Sequence, residues 1–163
     1  MEFEAPIDAW YVWVGVSLVS IAIAGIALAI PAQPPPDADE VAGTLDRVAA
    51  SGYDASATVP HDATHVRLGS ERIGLRNDGG TDEARISFGT VVALPSVNAT
   101  ESEQTALEGV VAGERMLDSE LESVLAVAVA EAKHSTGEWV NAEDSLRARA
   151  VSVSGERVIL VSI

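Results

Sequence analysis

The chain has 163 residues, of which 25 are acidic and 10 basic, and its formal net charge is −15. It has no cysteine, which excludes disulfide bonds and thiolate metal sites. The negative charge predicts a surface that repels phosphate backbones and anionic headgroups, so nucleic-acid binding is disfavoured.

The most apolar stretch is 10–30, WYVWVGVSLVSIAIAGIALAI, which carries no charge. A helix of this length matches a hydrocarbon core about 30 Å thick, so the sequence predicts one transmembrane helix after a short acidic tail at 1–9. The tail lacks the basic residues of a secretory signal, and we expect an uncleaved anchor. The alternative is cleavage at Ala27-Leu28-Ala29, which fits an A-x-A site.

Aromatic residues mark the first edge of this span. Trp10, Tyr11 and Trp13 are of the type that lies at headgroup depth, so they predict one membrane interface. Lysine and arginine are nearly absent on both flanks, so the positive-inside rule gives almost no information on the orientation of the span.

Small residues within the span are spaced four apart. Ser20 and Ala24 form one such pair, and Gly25 and Ala29 form another. This spacing lets helix backbones approach closely in lipid and predicts packing against copies of the chain or other membrane helices. The alternative is that small residues are common in any membrane helix.

Prolines separate the span from the rest of the chain. Pro31 and the run at 34–36 predict a helix end and a stiff stalk over 31–36. Asp37 then has the position of an N-cap, and a helix of about 14 residues starts a soluble domain over 37–163.

Alternating apolar residues predict strands on both sides of a helical region. The segments 64–68 and 71–75 flank Gly69-Ser70 as a hairpin, and 84–88 continues through a third strand towards Leu94. A second hairpin is predicted around Ser154-Gly155. These segments favour a small α+β domain of antiparallel hairpins with two or three helices.

Capping-box spacing predicts two helices in the middle of the domain. Thr105-x-x-Glu108 precedes a short helix, and Ser119-x-x-Glu122 precedes a longer one over about 121–134. The apolar positions of the longer helix are predicted to pack on the sheet.

The sequence predicts no catalytic, cofactor or metal site, and we expect that the protein is not an enzyme. His61 and His65 are four apart, as in metalloprotease helices, but the segment has the pattern of a strand, in which such residues do not converge. Oxygen-bearing residues alternate between Asn77 and Glu83 as in calcium loops, although a tight Asn-Asp-Gly-Gly turn explains the pattern too.

Asn98-Ala99-Thr100 is an N-x-T glycosylation sequon in a polar segment. A modified Asn98 would require the domain to lie outside the cell.

The chain resembles small single-span haloarchaeal proteins that are grouped with type IV pilin-like or Tad-like pilus components. The resemblance lies in the acidic tail, the aromatic entry to the span, the Pro-rich exit and the segments LDRVAAS, HVRLGSERIGLRNDGGT and FGTVVAL. The acidic, lysine-poor composition is also typical of salt-loving archaea. The resemblance implies a cell-surface, pilin-like or accessory subunit of a pilus or secretion assembly. The chain lacks a basic prepilin-peptidase site, which departs from that pattern.

Two functions therefore remain as hypotheses. The first is a membrane-anchored, extracytoplasmic structural or interaction protein, whose partners are the bilayer, other membrane helices or copies of itself, and pilus or secretion components. The second is a membrane-tethered module that binds calcium or a surface ligand through the Asn77–Glu83 turn or the His61/His65 pair.

Overall fold

The computed structural model describes residues 9–29, 33–52 and 54–163. Most of the predicted acidic tail and the start of the predicted stalk, including Pro31, lie outside these residues. The chain divides into two compact units, Met1–Pro34 and Pro35–Ile163.

The first unit contains a single described helix, α1 (Ala9–Ala29). Its side chains from Trp10 to Leu28 are all exposed, including isoleucines and leucines that are more than 60% accessible. Among the described residues it is the one helix long and apolar enough to cross a membrane. The predicted apolar helix is therefore confirmed, with Ile30 outside the described range.

The second unit, within 35–52 and 54–163, contains three α-helices, one 3₁₀ turn and eight strands. The helices are α2 (Ala38–Ala50), α3 (Glu101–Ala112) and α4 (Ser119–Ala132), and the 3₁₀ turn is Leu94–Ser96. The strands are β1 (Ser56–Pro60), β2 (His65–Leu68), β3 (Arg72–Asn77), β4 (Gly80–Arg85), β5 (Thr90–Ala93), β6 (Trp139–Asn141), β7 (Ser145–Val153) and β8 (Glu156–Ser162).

These strands form two four-stranded sheets. The mixed sheet has the order β1-β7-β8-β5, in which β5 runs parallel to β8 and the other pairs are antiparallel. The antiparallel sheet has the order β4-β3-β2-β6. The predicted α+β class is therefore confirmed, with a mixed sheet in addition to the expected hairpins.

The mixed sheet is buried on both faces. Ile159 and Val161 of β8 belong to a core that also contains α2 and the inner face of the antiparallel sheet. Val158 and Leu160 belong to a second core with α3 and α4. A strand covered on both sides has no position for polar residues, which explains the continuous apolar run in β8. The antiparallel sheet has one buried face, and its other face is open to solvent.

The two predicted hairpins are both present. Ser154 and Gly155 form a two-residue turn with φ of 51° and 82°, and Val153 pairs with Glu156. In the first hairpin Leu68 pairs with Ile73, so the turn lies at Ser70-Glu71 and not at Gly69-Ser70. This register keeps both apolar side chains in the core.

A third antiparallel strand follows β2 and β3 as predicted, but its predicted bounds, 84–88 and on to Leu94, are wrong. β4 ends at Arg85, and β5 belongs to the other sheet. Between them, the Asp46 carboxylate of α2 accepts hydrogen bonds from the backbone N–H groups of Ser87 and Phe88 at 2.8 and 3.0 Å. These bonds satisfy the backbone donors outside any sheet, so the chain leaves one sheet and enters the other.

The predicted stalk is shorter than expected. Pro36 is buried in the second unit, and Pro35 lies against Gly80, where an added Cβ would come within 3.4 Å of the Pro35 Cβ. Proline rings are apolar and are stabilised by this packing. Asp37 caps α2 as predicted, accepting from the Glu40 N–H at 2.9 Å.

The predicted starts of the later helices are corrected. The N-cap of α3 is Thr100, five residues before the expected Thr105. The Thr100 hydroxyl accepts from the Glu103 N–H at 3.4 Å, and the Glu103 carboxylate accepts from the Thr100 N–H at 2.7 Å. Thr105 lies inside the helix, where its hydroxyl donates to the Glu101 carbonyl. α4 is capped by Asp118, one residue before Ser119, because the longer acceptor reaches the Leu121 N–H. Its predicted apolar stripe packs on the mixed sheet.

Candidate functional site

The aromatic residues of the predicted interface lie in the first two turns of α1. Trp10, Tyr11 and Trp13 are exposed, and the Trp10 and Tyr11 ring centroids are 3.9 Å apart with a tilt of 33°. All three rings lie near the same end of the apolar helix, and those of Trp10 and Tyr11 are in contact.

The two pairs of small residues occupy different faces of α1. At about 100° per residue, Ser20 and Ala24 lie about 40° apart, whereas Gly25 is about 140° from Ser20 around the axis. A Cβ added to Gly25 would meet no atom within 4 Å. Ala29 ends the helix, and its side chain is outside the described part. The four residues thus do not share one packing stripe, and each pair would serve a separate contact.

The two histidines with metal-ligand spacing lie in different local environments. The His61 Nδ1 accepts from the Ala63 N–H at 3.2 Å, while the His65 Nδ1 lies 3.0 Å from the Thr64 hydroxyl. Burial lowers the pKa of His61, against the opposing effect of the Asp144 carboxylate. Within the described ranges, no group of three or more histidine, aspartate or glutamate residues is placed to hold a metal ion.

The oxygen-rich turn after β3 uses its donors and acceptors within the protein. The Asn77 Oδ1 accepts from the N–H groups of Gly79 and Gly80 at 2.8 and 3.2 Å, which stabilises the tight turn. Glu83 forms an ion pair with Arg67. The calcium alternative stays a prediction, and the geometry of these groups accounts for the turn without a cation.

The sequon lies on the surface. Asn98 is exposed between the 3₁₀ turn and α3, so its side chain is accessible for modification. The Thr100 hydroxyl that completes the sequon is the N-cap of α3 and donates to the Glu103 carboxylate at 2.6 Å. This bond and the one from the Thr100 N–H lower the pKa of Glu103.

A cleft of about 350 Å³ lies between the two sheets. Most of its lining is apolar or backbone, with three serine hydroxyls and one ionisable side chain, Glu138. This composition brings together no pair of acid and base groups.

The most distinctive surface of the second unit is the solvent face of the antiparallel sheet. Side chains alternate along each strand, so the residues opposite the buried Val66, Ile73 and Ala84 point outwards. Four of the nine arginines of the chain lie on this face. We call it the arginine face, and it comprises Arg67, Arg72, Arg76 and Arg85 together with Glu83 and Trp139.

Trp139 lies at the centre of the arginine face. The guanidinium carbons of Arg67 and Arg76 are 4.9 and 4.8 Å from its ring centroid, within the range of cation–π attraction. The ring extends over Gly74, where an added Cβ would come within 3.0 Å of the indole tip. Strand pairing places Glu83, Gly74, Arg67 and Trp139 in one row across the four strands.

Two of the four arginines lack a carboxylate partner. Arg67 pairs with Glu83, and Arg85 pairs with Glu71 at 3.0 Å. Arg72 and Arg76 form no ion pair with any residue of the described chain. The face therefore keeps an excess of two positive charges in a protein of net charge −15.

Beside the hairpin of β2 and β3, the arginine face contains a depression of about 350 Å³. Its charged lining consists of Arg67, Arg72, Glu71 and Glu83, and hydroxyl groups from Ser135 and Thr136 lie along its rim. The two guanidinium groups and the two carboxylates balance in charge, and Arg67 is paired with Glu83. Arg72 is the guanidinium of this lining that forms no ion pair with the described residues, so it can donate to an anionic group.

Sequence reasoning did not find this surface. The alternation of arginine with apolar residues in the two predicted strands placed Arg67 and Arg72 on one side, and this signal was available. Trp139 was not predictable from the same pattern, because β6 has only three residues and no alternation.

A model of a protein family described as a family of unknown function, DUF7283, matches residues 4–151. The chain belongs to this family. The DUF7283 match includes α1, the arginine face and the chain into β7, whereas β8 lies beyond it. Searches of curated proteins and of solved structures found no match.

Proposed function

We propose that this DUF7283 protein is a membrane-anchored structural or interaction protein that acts as a pilin-like or accessory subunit of an archaeal pilus or secretion assembly. In this proposal α1 is a single-pass span, the second unit lies outside the cytoplasm, and the protein acts by binding and not by catalysis.

The exposed apolar surface of α1 carries the proposal. Nineteen consecutive residues from Trp10 to Leu28 have a mean hydropathy of 2.2, and all of them are exposed. Burial of one leucine or isoleucine side chain is worth about 1.5–3 kcal/mol, so lipid or another apolar helix is the favourable environment for this segment. The length of about 30 Å fits a bilayer.

The second unit supports a role in binding. It has its own two hydrophobic cores and its own sheets, so the helix is not needed to complete its packing. The family match covers α1 and the second unit as far as residue 151, so the apolar helix and most of this domain lie within one family region. An accessory subunit needs a helix that anchors it in the membrane and a domain that presents a binding surface, and this chain has a candidate for each.

Protease accessibility of a C-terminal tag in intact cells tests the proposed topology. Added protease is expected to remove the tag from intact cells while a cytoplasmic control protein stays uncut. A tag that is cut only after lysis would contradict the extracytoplasmic placement and the pilus role together.

Cross-linking in the membrane tests the proposed helix contacts. Ala24→Leu fills the face that contains Ser20, and Gly25→Leu fills the other face, while Ile23→Leu conserves volume as the control. We expect that one of the two filling substitutions abolishes a cross-linked species that wild type and the control retain. A chain that cross-links to nothing and fractionates as a monomer away from pilus components would refute the role as a subunit.

A further inference from the structure

We propose that the arginine face docks on anionic phospholipid headgroups of the bilayer that holds α1. This inference rests on the membrane anchoring proposed above. It adds a second membrane contact, through the soluble unit, that fixes which side of the domain faces the lipid.

Charge asymmetry within the second unit is the first argument. The arginine face has two unpaired guanidinium groups, Arg72 and Arg76, on one side of the unit. α3 and α4 pack on the opposite face of the mixed sheet, and the segment 101–132 carries eight acidic residues and one arginine. Counted in the same way, the segment 65–85 carries four arginines and four acidic residues. An anionic surface therefore repels the helical side more strongly than the side of the arginine face, and this difference favours one orientation.

The side chains of the arginine face fit a headgroup layer. Guanidinium groups bind phosphate through paired N–H donors, and Arg72 lines the open depression beside Arg67. Trp139 is half-buried among them, and tryptophan favours the headgroup region because its ring is apolar and its N–H is polar. Both residue types therefore favour the same environment.

The size of the face favours lipid over a second protein chain. Four strands spaced about 4.8 Å apart, with three to six residues each, cover roughly 300 Å². A stable protein interface buries about 800 Å² on each partner. Several small anionic groups need no such area, because each binds its own guanidinium.

A single cysteine label tests the docking in the full-length chain, which has no native cysteine. Thr81 is exposed on β4 opposite Arg76, and Ser123 is exposed on α4. Each residue is replaced by cysteine in a separate variant, and a polarity-sensitive fluorophore is coupled to the cysteine. The labelled proteins are reconstituted in phosphatidylcholine vesicles with or without phosphatidylglycerol at about a third of the lipid. We expect a blue shift and protection from an aqueous quencher at position 81 in the anionic vesicles only, and no change at 123.

Charge substitutions give the matched controls. Arg72→Gln is expected to lower the ratio of docked to undocked protein about five-fold, since one basic residue near an anionic membrane is worth about 1 kcal/mol. Arg147→Gln removes the same charge from β7, outside the arginine face, and is expected to leave the ratio unchanged. High salt should abolish the signal.

Flotation of the vesicles after an alkaline wash separates the two proposals. A chain that floats with both kinds of vesicle but shows no change at position 81 retains the anchor and refutes the docking. A chain that does not float refutes both. Equal responses at 81 and 123 would show general adsorption. A signal in neutral vesicles on adding inorganic phosphate would assign the face to free phosphate. A signal that depends on protein concentration would assign it to a second copy. Each of these three outcomes overturns the proposal.

Discussion

The indole of Trp139 lies across Gly74, two strands away in the antiparallel sheet, and a Cβ at position 74 would come within 3.0 Å of the indole tip. Gly74 is buried by this ring, although it is on the solvent face of its strand. The absence of a side chain at position 74 leaves space for the indole. The ring lies within cation–π distance of the guanidinium groups of Arg67 and Arg76.

Gly74→Ala is expected to displace the Trp139 ring and to cost about 1 kcal/mol of stability, since the ring is half-exposed and can move. In a chain with Trp10→Phe and Trp13→Phe, the emission of Trp139 should shift to the red and become easier to quench. Gly43→Ala is the control, because an added Cβ at this exposed helix position meets no atom within 4 Å. That variant should leave the emission unchanged and raise stability by about 0.5–1 kcal/mol. Unchanged emission in Gly74→Ala would contradict the contact.

Gly137→Ala is expected to destabilise the second unit by about 3 kcal/mol or more. Gly137 has φ of +76°, and an added Cβ would lie 2.2 Å from the Leu68 carbonyl oxygen, so backbone would have to move. Gly155→Asn is the matched control, with φ of +82° and open space around it, and should cost less than about 1 kcal/mol because asparagine tolerates this conformation. Urea unfolding in detergent micelles measures both variants. Equal losses would show that the close approach of the two loops is unimportant.

Asp46→Ala is expected to cost about 1.5–3 kcal/mol, because it leaves two backbone N–H groups without their charged acceptor. Asp46→Asn keeps one oxygen in the same place and should lose less. Amide hydrogen exchange provides the local measurement, and faster exchange is expected at Ser87 and Phe88. Unaltered exchange at these two amides in Asp46→Ala would refute the role of the carboxylate in separating β4 from β5.

Stability is expected to fall as the pH drops below the ordinary histidine pKa of about 6.5. Burial lowers the pKa of His61 in the folded protein, so the unfolded chain binds the proton first. Stability from this group is therefore fully present above the unfolded pKa and is lost as the pH falls towards the folded pKa. Urea unfolding at several pH values should show a smaller loss for His61→Asn than for wild type, with the exposed His134→Asn as control. Identical pH profiles for wild type and His61→Asn would contradict this origin.

Asn98→Gln is expected to remove any glycan-dependent mass shift of the protein from its native membrane while leaving α3 intact. Thr100→Ala removes both the sequon and the helix cap and should also cost about 1 kcal/mol of stability. Thr100→Ser retains both functions and is the control. A mass shift that persists in Asn98→Gln would place the modification elsewhere.

Sequence alone determined the features that depend on local order. The apolar helix, the N-cap at Asp37, the turn at Ser154-Gly155 and the apolar stripe of α4 all follow from neighbouring residues, and each is present. Capping positions were less certain from sequence, because Thr100, Asp118 and Ser119 all have suitable side chains, and the helix that actually forms decides which one serves.

Tertiary structure alone decided the assignment of strands to sheets and the composition of the arginine face. Periodicity tells which side of a strand is apolar, but it does not tell which strand lies beside it, and so β5 could not be assigned to β8 from the sequence. For the same reason Trp139 could not be placed beside Arg67 and Arg76, which are more than 60 residues earlier in the chain. Register and sheet order arise from burying two cores at once, and this global requirement brings distant residues onto one surface.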